Sequence, residues 1–283
     1  MATVALVVHP ARAEATEVAK AATAWLTEGG HDVRVMSSHP DDETRRAWAE
    51  SNSELSLAVS LGGDGTMLST VNLAVPRGIP ILGVNLGHLG YLTEVEAKDL
   101  QKALERFMNG DYQIEERLIL EVLVESPNGE RDLFPPRLAL NEAVVEKTLS
   151  GHTIRVAASI AGRPFISYAA DGILVATPTG STAYNLSARG PIVSPGLQAL
   201  MVTPLSPHML FDRTLVLEPS QWLRLQLMGP RPAALVVDGS AVTTLEPLDA
   251  VICRAGAHPA RLVTFGPRDF HAILKAKFGL ADR

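Results

Sequence analysis

The stretch "LSLAVSLGGDGTMLSTVNLAV", Leu55 to Val75, decides the fold. Its apolar run ends at two glycines, an aspartate and a third glycine, and an apolar pattern with helical spacing then resumes. A buried strand, a tight loop and a helix are the simplest reading. Gly62, Gly63 and Gly65 are expected to give the loop φ > 0 and to let a ligand approach closely. The free N–H groups that open the helix attract anions. No Lys-Ser or Lys-Thr pair follows, so this is not a Walker A loop, and the G-G-x-G spacing is not the dinucleotide fingerprint. Asp64 then has two readings. It caps the helix, or it orients an attacking hydroxyl, accepts its proton or helps hold a divalent cation.

The same grammar extends on both sides. "TVALVVHP", "HDVRVMSS" and "IPILGVNL" read as strands, and "EATEVAKAATAWLTEGG", "DDETRRAWAES" and "EAKDLQKALERFMNG" as helices, the first closed by Gly29-Gly30 and the last by Gly110. Such alternation predicts a parallel sheet covered by helices over residues 1–110. From 111 to 255 the chain breaks into short β-like runs separated by Gly, Pro and polar residues. In "QWLRLQLM", Leu223, Leu225 and Leu227 alternate with Trp222, Arg224 and Gln226, the period of a half-buried strand. The expected architecture is an N-terminal α/β domain, a β-rich sandwich-like domain, and a return segment over 256–283 whose helix packs back on the first domain.

Composition bounds the function. At 283 residues, 46% hydrophobic and 20% charged, the chain can bury a sizeable core. A net charge of −6 without a basic tract argues against nucleic-acid or anionic-membrane surfaces. Cys253, the single cysteine, permits no intrachain disulfide, which suits a reducing cytoplasm. No apolar run approaches the roughly 20 residues needed to span a bilayer.

Three further stretches carry polar groups in apolar settings. "DGILVATPTGSTAYNLSARGPIVSP", 171–195, crowds hydroxyls and amides after an apolar strand. They suit a ribose or a phosphate, or else an ST-rich turn. Asn141-Glu142 interrupts the apolar "LALNEAVVEK", so one of the two must point inward and find a side chain or a ligand hydroxyl. "VNLGHLGYLTE", with Gly83, Gly87 and Gly90, follows the fourth strand and belongs beside the GGDGT loop in a parallel sheet. Asp238-Gly239 reads as a type I′ hairpin turn. The histidines lack metal-ligand spacing, and Trp25, Trp48 and Trp222 read as packing residues.

Taken in order, "GGDGTML", "GVNLGHLGYLTE", "LNEAVV", "DGILVATPTGSTAYNLSARGPIV" and "VVDGS" resemble the NAD kinases, which phosphorylate the 2′-hydroxyl of the adenosine ribose of NAD. The resemblance implies an active site in a cleft between the two domains. Asp64 would accept the ribose proton, with Gly62, Gly63, Gly65 and Thr66 shaping the phosphate loop. Asp64, Gly65, Asn141, Glu142, His152, Asp171, Thr182, Ala183, Tyr184, Asn185, Leu186 and Ser187 would bind NAD. ATP, or polyphosphate, would be the donor with Mg²⁺ or another divalent cation, and a homodimer or homotetramer is implied. No metal-binding residue is assigned. Ser69, Ala169 and Ser240 depart from the usual pattern, and "ARGPI" places Arg189 where "AGGPI" is usual. A diacylglycerol-type lipid kinase shares the loop and the two-domain plan but should show an apolar lip. A non-catalytic NAD-sensing module would be expected to lack the carboxylate at position 64.

Overall fold

The computed structural model describes residues 1–41, 43–44, 47–48, 54–87, 92–127, 129–131 and 137–279. They form two compact units, Met1–Glu116 with Ala260–Arg283, and Arg117–Pro259.

The first unit is a helix-covered sheet. Its strands are β1 (Thr3–Val8), β2 (Asp32–Ser37), β3 (Leu57–Gly62), β4 (Ile81–Asn85), the short β5 (Val95–Glu96), β6 (Gln113–Arg117) and a return strand at Ala260–Thr264. The order is β2-β1-β3-β4-return-β6, with β5 also on β4. β1 pairs in parallel with β2 and β3, and β4 in parallel with β3 and the return strand. The helices are α1 (Ala13–Glu28), α2 (Asp64–Ala74) and α3 (Leu100–Met108). Val4, Leu6, Leu57, Val59, Leu61 and Leu82 form a core with Ala15, Ala19, Leu26, Leu104 and Phe107. At about 1.5–3 kcal/mol for each large apolar side chain, this burial holds the sheet and places β3 in its interior. α2 starts two residues earlier than its apolar pattern, and Pro76 lies in a 3₁₀ turn ended by Gly78 at φ 63°. The helix expected over "DDETRRAWAES" lies partly outside the described residues, although Trp48 is buried and donates its Nε1–H to the Leu73 carbonyl at 2.8 Å.

The second unit is a sandwich. Its strands are β7 (Leu120–Ser126), β8 (Gly129–Arg131), β9 (Arg137–Ala139), β10 (Glu142–Lys147), β11 (Ile154–Ile160), β12 (Arg163–Ala170), β13 (Gly172–Ala176), β14 (Leu200–Leu205), β15 (Leu215–Leu217), β16 (Leu223–Leu227), β17 (Ala233–Val237), β18 (Ser240–Leu245) and β19 (Ala250–Ala255). The return strand is thus β20. A short helix, α4 (Tyr184–Ser187), follows β13, and α5 (Phe270–Phe278) follows β20. One sheet runs β15-β14-β13-β10-β17-β18 and the other β12-β11-β16-β19-β7-β8, with β9 on β7. Both contribute to one core, in which Leu223, Leu225 and Leu227 are each 1% exposed, as the alternation predicted.

Two apparently continuous strands are broken. "RLALNEAVVEK" becomes β9, on β7, and β10, between β13 and β17 in the other sheet. "RPFISYAADGILVATP" becomes β12, on β11, and β13, on β10 and β14, with Asp171 at the break. Asn141 and Asp171 therefore stand where the chain changes sheet. Polar residues interrupt the apolar runs there because the ladder itself is interrupted.

α5 is capped at its N-terminus by the Asp269 carboxylate, which accepts the Ala272 N–H at 3.0 Å. It closes at Gly279 with φ 59°. Before it, Arg268 is only 11% exposed and faces Glu94 at 3.5 Å and Glu115 at 3.7 Å. These contacts fasten the tail to the first unit.

Candidate active site

In the first unit the GGDGT loop joins β3 to α2 at the carboxyl end of the parallel sheet. The expectation of φ > 0 is corrected: Gly62, Gly63 and Gly65 are not among the positive-φ glycines, and Gly63 is extended at φ −104°, ψ −165°. Gly62 is required by close packing, because a Cβ there would collide with the Thr66 side chain. Cβ atoms at Gly63 and Gly65 would meet nothing within 4 Å. The loop leaves backbone bare beside the helix N-terminus.

The capping role of Asp64 is corrected as well. Gly63 is the N-cap and makes no side-chain cap bond, while Asp64 is the first helical residue. Asp64 instead accepts the Leu92 N–H on Oδ1 at 3.4 Å. The loop after β4 does lie beside this site, since Leu86 donates its N–H to the Gly62 carbonyl at 3.2 Å. Gly83 allows that approach, because a Cβ on it would come within 3.0 Å of the Leu92 oxygen and the Thr93 Cα. Gly90 of the same loop lies outside the described residues. A carboxylate at the start of a helix, flanked by free N–H groups, can orient a hydroxyl while the helix end holds phosphate oxygens.

In the second unit the NE pair and the TGSTAY block come together. A Cβ on Gly180 would land on the backbone carbonyl of Asn141, so only glycine lets the two segments touch. Thr177 N–H bonds the Asn141 carbonyl at 2.9 Å, and its hydroxyl bonds the Leu140 carbonyl. On the other side, the Asp238 carboxylate accepts the backbone N–H groups of Leu140 and Asn141 at 2.8 Å each and of Glu142 at 3.1 Å. Asp238 and Gly239 do have positive φ, 47° and 75°, as a type I′ turn needs. The turn reading was incomplete, because Asp238 also holds the sheet-changing segment. No local pattern shows a partner 97 residues away.

This arrangement sets the electrostatics. Burial, and then the neighbouring Asp238, raise the Glu142 carboxyl to about 7, against a smaller opposing effect of the Tyr184 N–H. Burial raises Asp238 to about 6, despite its three backbone donors. Glu142 is 6% exposed, and its Oε2 has no hydrogen-bond partner among the described residues. A buried acceptor without a donor is suited to a ligand hydroxyl.

Most of the crowded hydroxyls serve the protein itself. Thr179 Oγ1 accepts from Arg117 at 3.3 Å, Ser181 bonds both backbone groups of Val193, and Thr182 donates to the Thr179 carbonyl. Asn185 is fully buried, and its amide bonds Pro191, Met201 and Thr203. For these residues the ST-turn reading describes the geometry. Tyr184 and Ser187 differ: they line a cavity of about 670 Å³ with Lys147, Asp171, Arg189, Ser206, Asp212 and Arg213, among others. Asp171 is ion-paired there to Lys147 at 2.6 Å. Thr182, Ala183 and Leu186 are half-buried, and His152 is exposed between β10 and β11.

The family model of the ATP-NAD kinase N-terminal domain matches residues 4–112, and that of the ATP-NAD kinase C-terminal domain matches 140–265. An NAD kinase of Heliobacterium modesticaldum is 44% identical over 98% of both chains. NAD kinase 2 of Streptomyces coelicolor is 38% identical over 98% of this chain and 94% of its own. By fold, the chain resembles yeast NADH kinase complexed with NADH (TM-score 0.86, 23% identity, 100% of this chain and 89% of that one). It also resembles an NAD kinase from Archaeoglobus fulgidus in complex with ATP (TM-score 0.72, 24% identity, 99% and 100%). Matched by both family models and along nearly its whole length by curated relatives, the chain belongs to the NAD kinase family.

Proposed function

We propose that this chain transfers the terminal phosphoryl group of ATP to the 2′-hydroxyl of the adenosine ribose of NAD, with Asp64 as the group that meets that hydroxyl. The observation that carries the assignment is the Asp64 carboxylate at the bare, uncapped start of α2. Phosphoryl transfer needs positioning and compensation of spread charge more than covalent chemistry. A ribose hydroxyl is far more basic than a carboxylate, so Asp64 chiefly orients it and takes the proton late. Gly62, Gly63, Gly65 and Thr66 shape the space for the donor phosphates. Asn141, Glu142, Asp171, Tyr184 and Ser187 supply donors and acceptors to NAD, and Glu142 Oε2 in particular offers an unpaired acceptor.

A divalent ion fits as part of the donor. Among the described residues no three His, Cys, Asp or Glu side chains gather as a metal cage. Mg²⁺ is commonly held by one or two carboxylates and substrate phosphates, and Asp64 would be the carboxylate that helps hold it. Such an ion would offset the repulsion between two anionic reactants. Among the described residues no helix is long and apolar enough to cross a membrane. A single cysteine, Cys253, free and buried, fits a reducing cytoplasm. A homo-oligomer is the expected assembly.

Incubation of the pure protein with NAD, Mg²⁺ and either ATP or polyphosphate, followed by assay for NADP, tests the proposal and separates the donors. NADP should form with ATP. Affinity for NAD without product would favour a sensor, and phosphorylation of diacylglycerol in place of NAD would favour the lipid-kinase reading.

A further inference from the structure

Arg189 is held in a conformation its side chain does not favour. It follows α4 and its capping residue Ala188, and closes the turn by donating its N–H to the Leu186 carbonyl at 2.9 Å. Gly190 then donates to the Asn185 carbonyl at 2.8 Å. The turn puts Arg189 in the left-handed region at φ 63°, where glycine is the usual residue because it has no Cβ. Gly190, beside it, must be glycine, since a Cβ there would fall on the Asn185 side chain. At 189 glycine would relieve strain, yet the chain has arginine.

The guanidinium has a distinct setting. Arg189 lines the 670 Å³ cavity with Tyr184 and Ser187. Of the other cations on this wall, Lys147 is paired with Asp171 at 2.6 Å and Arg213 with Asp212 at 3.4 Å, and Glu146 is a third carboxylate on the same wall. Among the described residues the Arg189 guanidinium has neither a hydrogen bond nor an ion pair. Ser206, a second non-glycine residue with positive φ (45°), lines the same cavity. Backbone strain at Arg189 and Ser206 on one cavity wall, together with an exposed guanidinium that no group among the described residues engages, points to a ligand that meets it there.

We propose that Arg189 is a specificity residue that takes a phosphate oxyanion of the dinucleotide bound in this cavity. The inference rests on the reading above that Tyr184 and Ser187 line the NAD site. A planar guanidinium suits the oxyanion because it can offer two parallel N–H donors. Helix capping alone does not account for the arginine, since a four-residue helix has little dipole to complement.

Calorimetric affinity for NAD and for adenosine, at low and high salt, tests this on the full-length wild type, Arg189→Gly and Arg189→Lys, with melting temperatures recorded for each. Arg189→Gly should melt roughly 2–4 °C higher, because the left-handed strain is removed. It should bind NAD about tenfold more weakly at low salt, with a flatter salt dependence. Affinity for adenosine, which lacks phosphate, should not change. Arg189→Lys should fall between the two for NAD and show no thermal gain. A glycine variant that melts higher and binds NAD as tightly as wild type would overturn the role of Arg189 alone. Equal loss of adenosine affinity would overturn it too, by showing a disturbed site. Wild-type protein that fails to bind NAD would defeat the underlying reading of the cavity and this inference with it.

Discussion

Asp238 accepts the backbone N–H of Glu142 at 3.1 Å, while the charge on Asp238 helps push the Glu142 carboxyl up to about 7. One residue therefore holds the backbone of the other and adds to the rise in proton affinity that burial chiefly causes. The contact joins the β17–β18 turn to the point where the chain leaves one sheet for the other.

Replacing Asp238 by alanine would leave the N–H groups of Leu140, Asn141 and Glu142 without this acceptor. At about 1–3 kcal/mol for each buried group left unsatisfied, the variant should lose at least about 3 kcal/mol. Urea denaturation of the second unit measures the loss. Asp238→Asn, which keeps one acceptor oxygen, should lose less.

Stability should also depend on pH through this pair. Glu142 is raised from 4.5 to about 7 and Asp238 from 3.8 to about 6, so folding favours the protonated forms. Their contribution is complete below the unfolded-state values and is lost as pH rises through the folded-state ones. Between pH 5 and 8 the melting temperature should fall for this reason, and Glu142→Gln should flatten that part of the profile. At pH 8 the glutamine variant should be the more stable protein. It should also bind NAD more weakly if Glu142 accepts a ribose hydroxyl.

The two kinds of glycine in the site should respond differently. Gly180→Ala would push a methyl group into the Asn141 backbone and should destabilise the second unit severely, seen as lost soluble yield or a large drop in melting temperature. Gly65→Ala meets nothing within 4 Å, so the fold should survive. Its kinase rate should nonetheless fall at least tenfold if phosphates approach that backbone.

Parts of the fold were legible because the pattern and the structure share a period. Leu223, Leu225 and Leu227 announced β16, and the apolar run into GGDGT announced β3 and α2. The breaks at Asn141 and Asp171 were not, since an apolar run does not record which sheet each half joins. β14 was missed although Leu200–Leu205 is buried throughout, because Pro204 makes "LMVTPL" read as a break. β6 and β20 were hidden differently, the first by its charged "QIEER" and the second by lying beyond the expected end of the β-rich domain. Among the candidate residues, Asp64 and Glu142 stood out by a charge in an apolar or glycine-rich setting, whereas Asp238 acts through a contact distant in sequence. The hydroxyl block has two uses that the sequence alone does not separate, because ligand donors and backbone caps have the same composition.

The tail offers another test. Arg268 faces Glu94 and Glu115 and donates to the Thr93 carbonyl at 3.3 Å, next to Leu92, whose N–H meets Asp64. Arg268→Ala should destabilise the first unit by about 3 kcal/mol. It should also speed amide exchange at Leu92, read by hydrogen-exchange mass spectrometry. Unchanged exchange would show that the tail and the loop beside Asp64 are independent.

The measurement closest to the central claim is the steady-state rate of NADP formation by Asp64→Asn, with NAD affinity and melting temperature measured on the same protein. Asparagine is nearly isosteric but cannot accept the ribose proton, so turnover should fall by at least 100-fold, as removal of a positioned general base does. Melting temperature should stay near wild type and NAD should still bind. Near-normal turnover by Asp64→Asn would contradict the account.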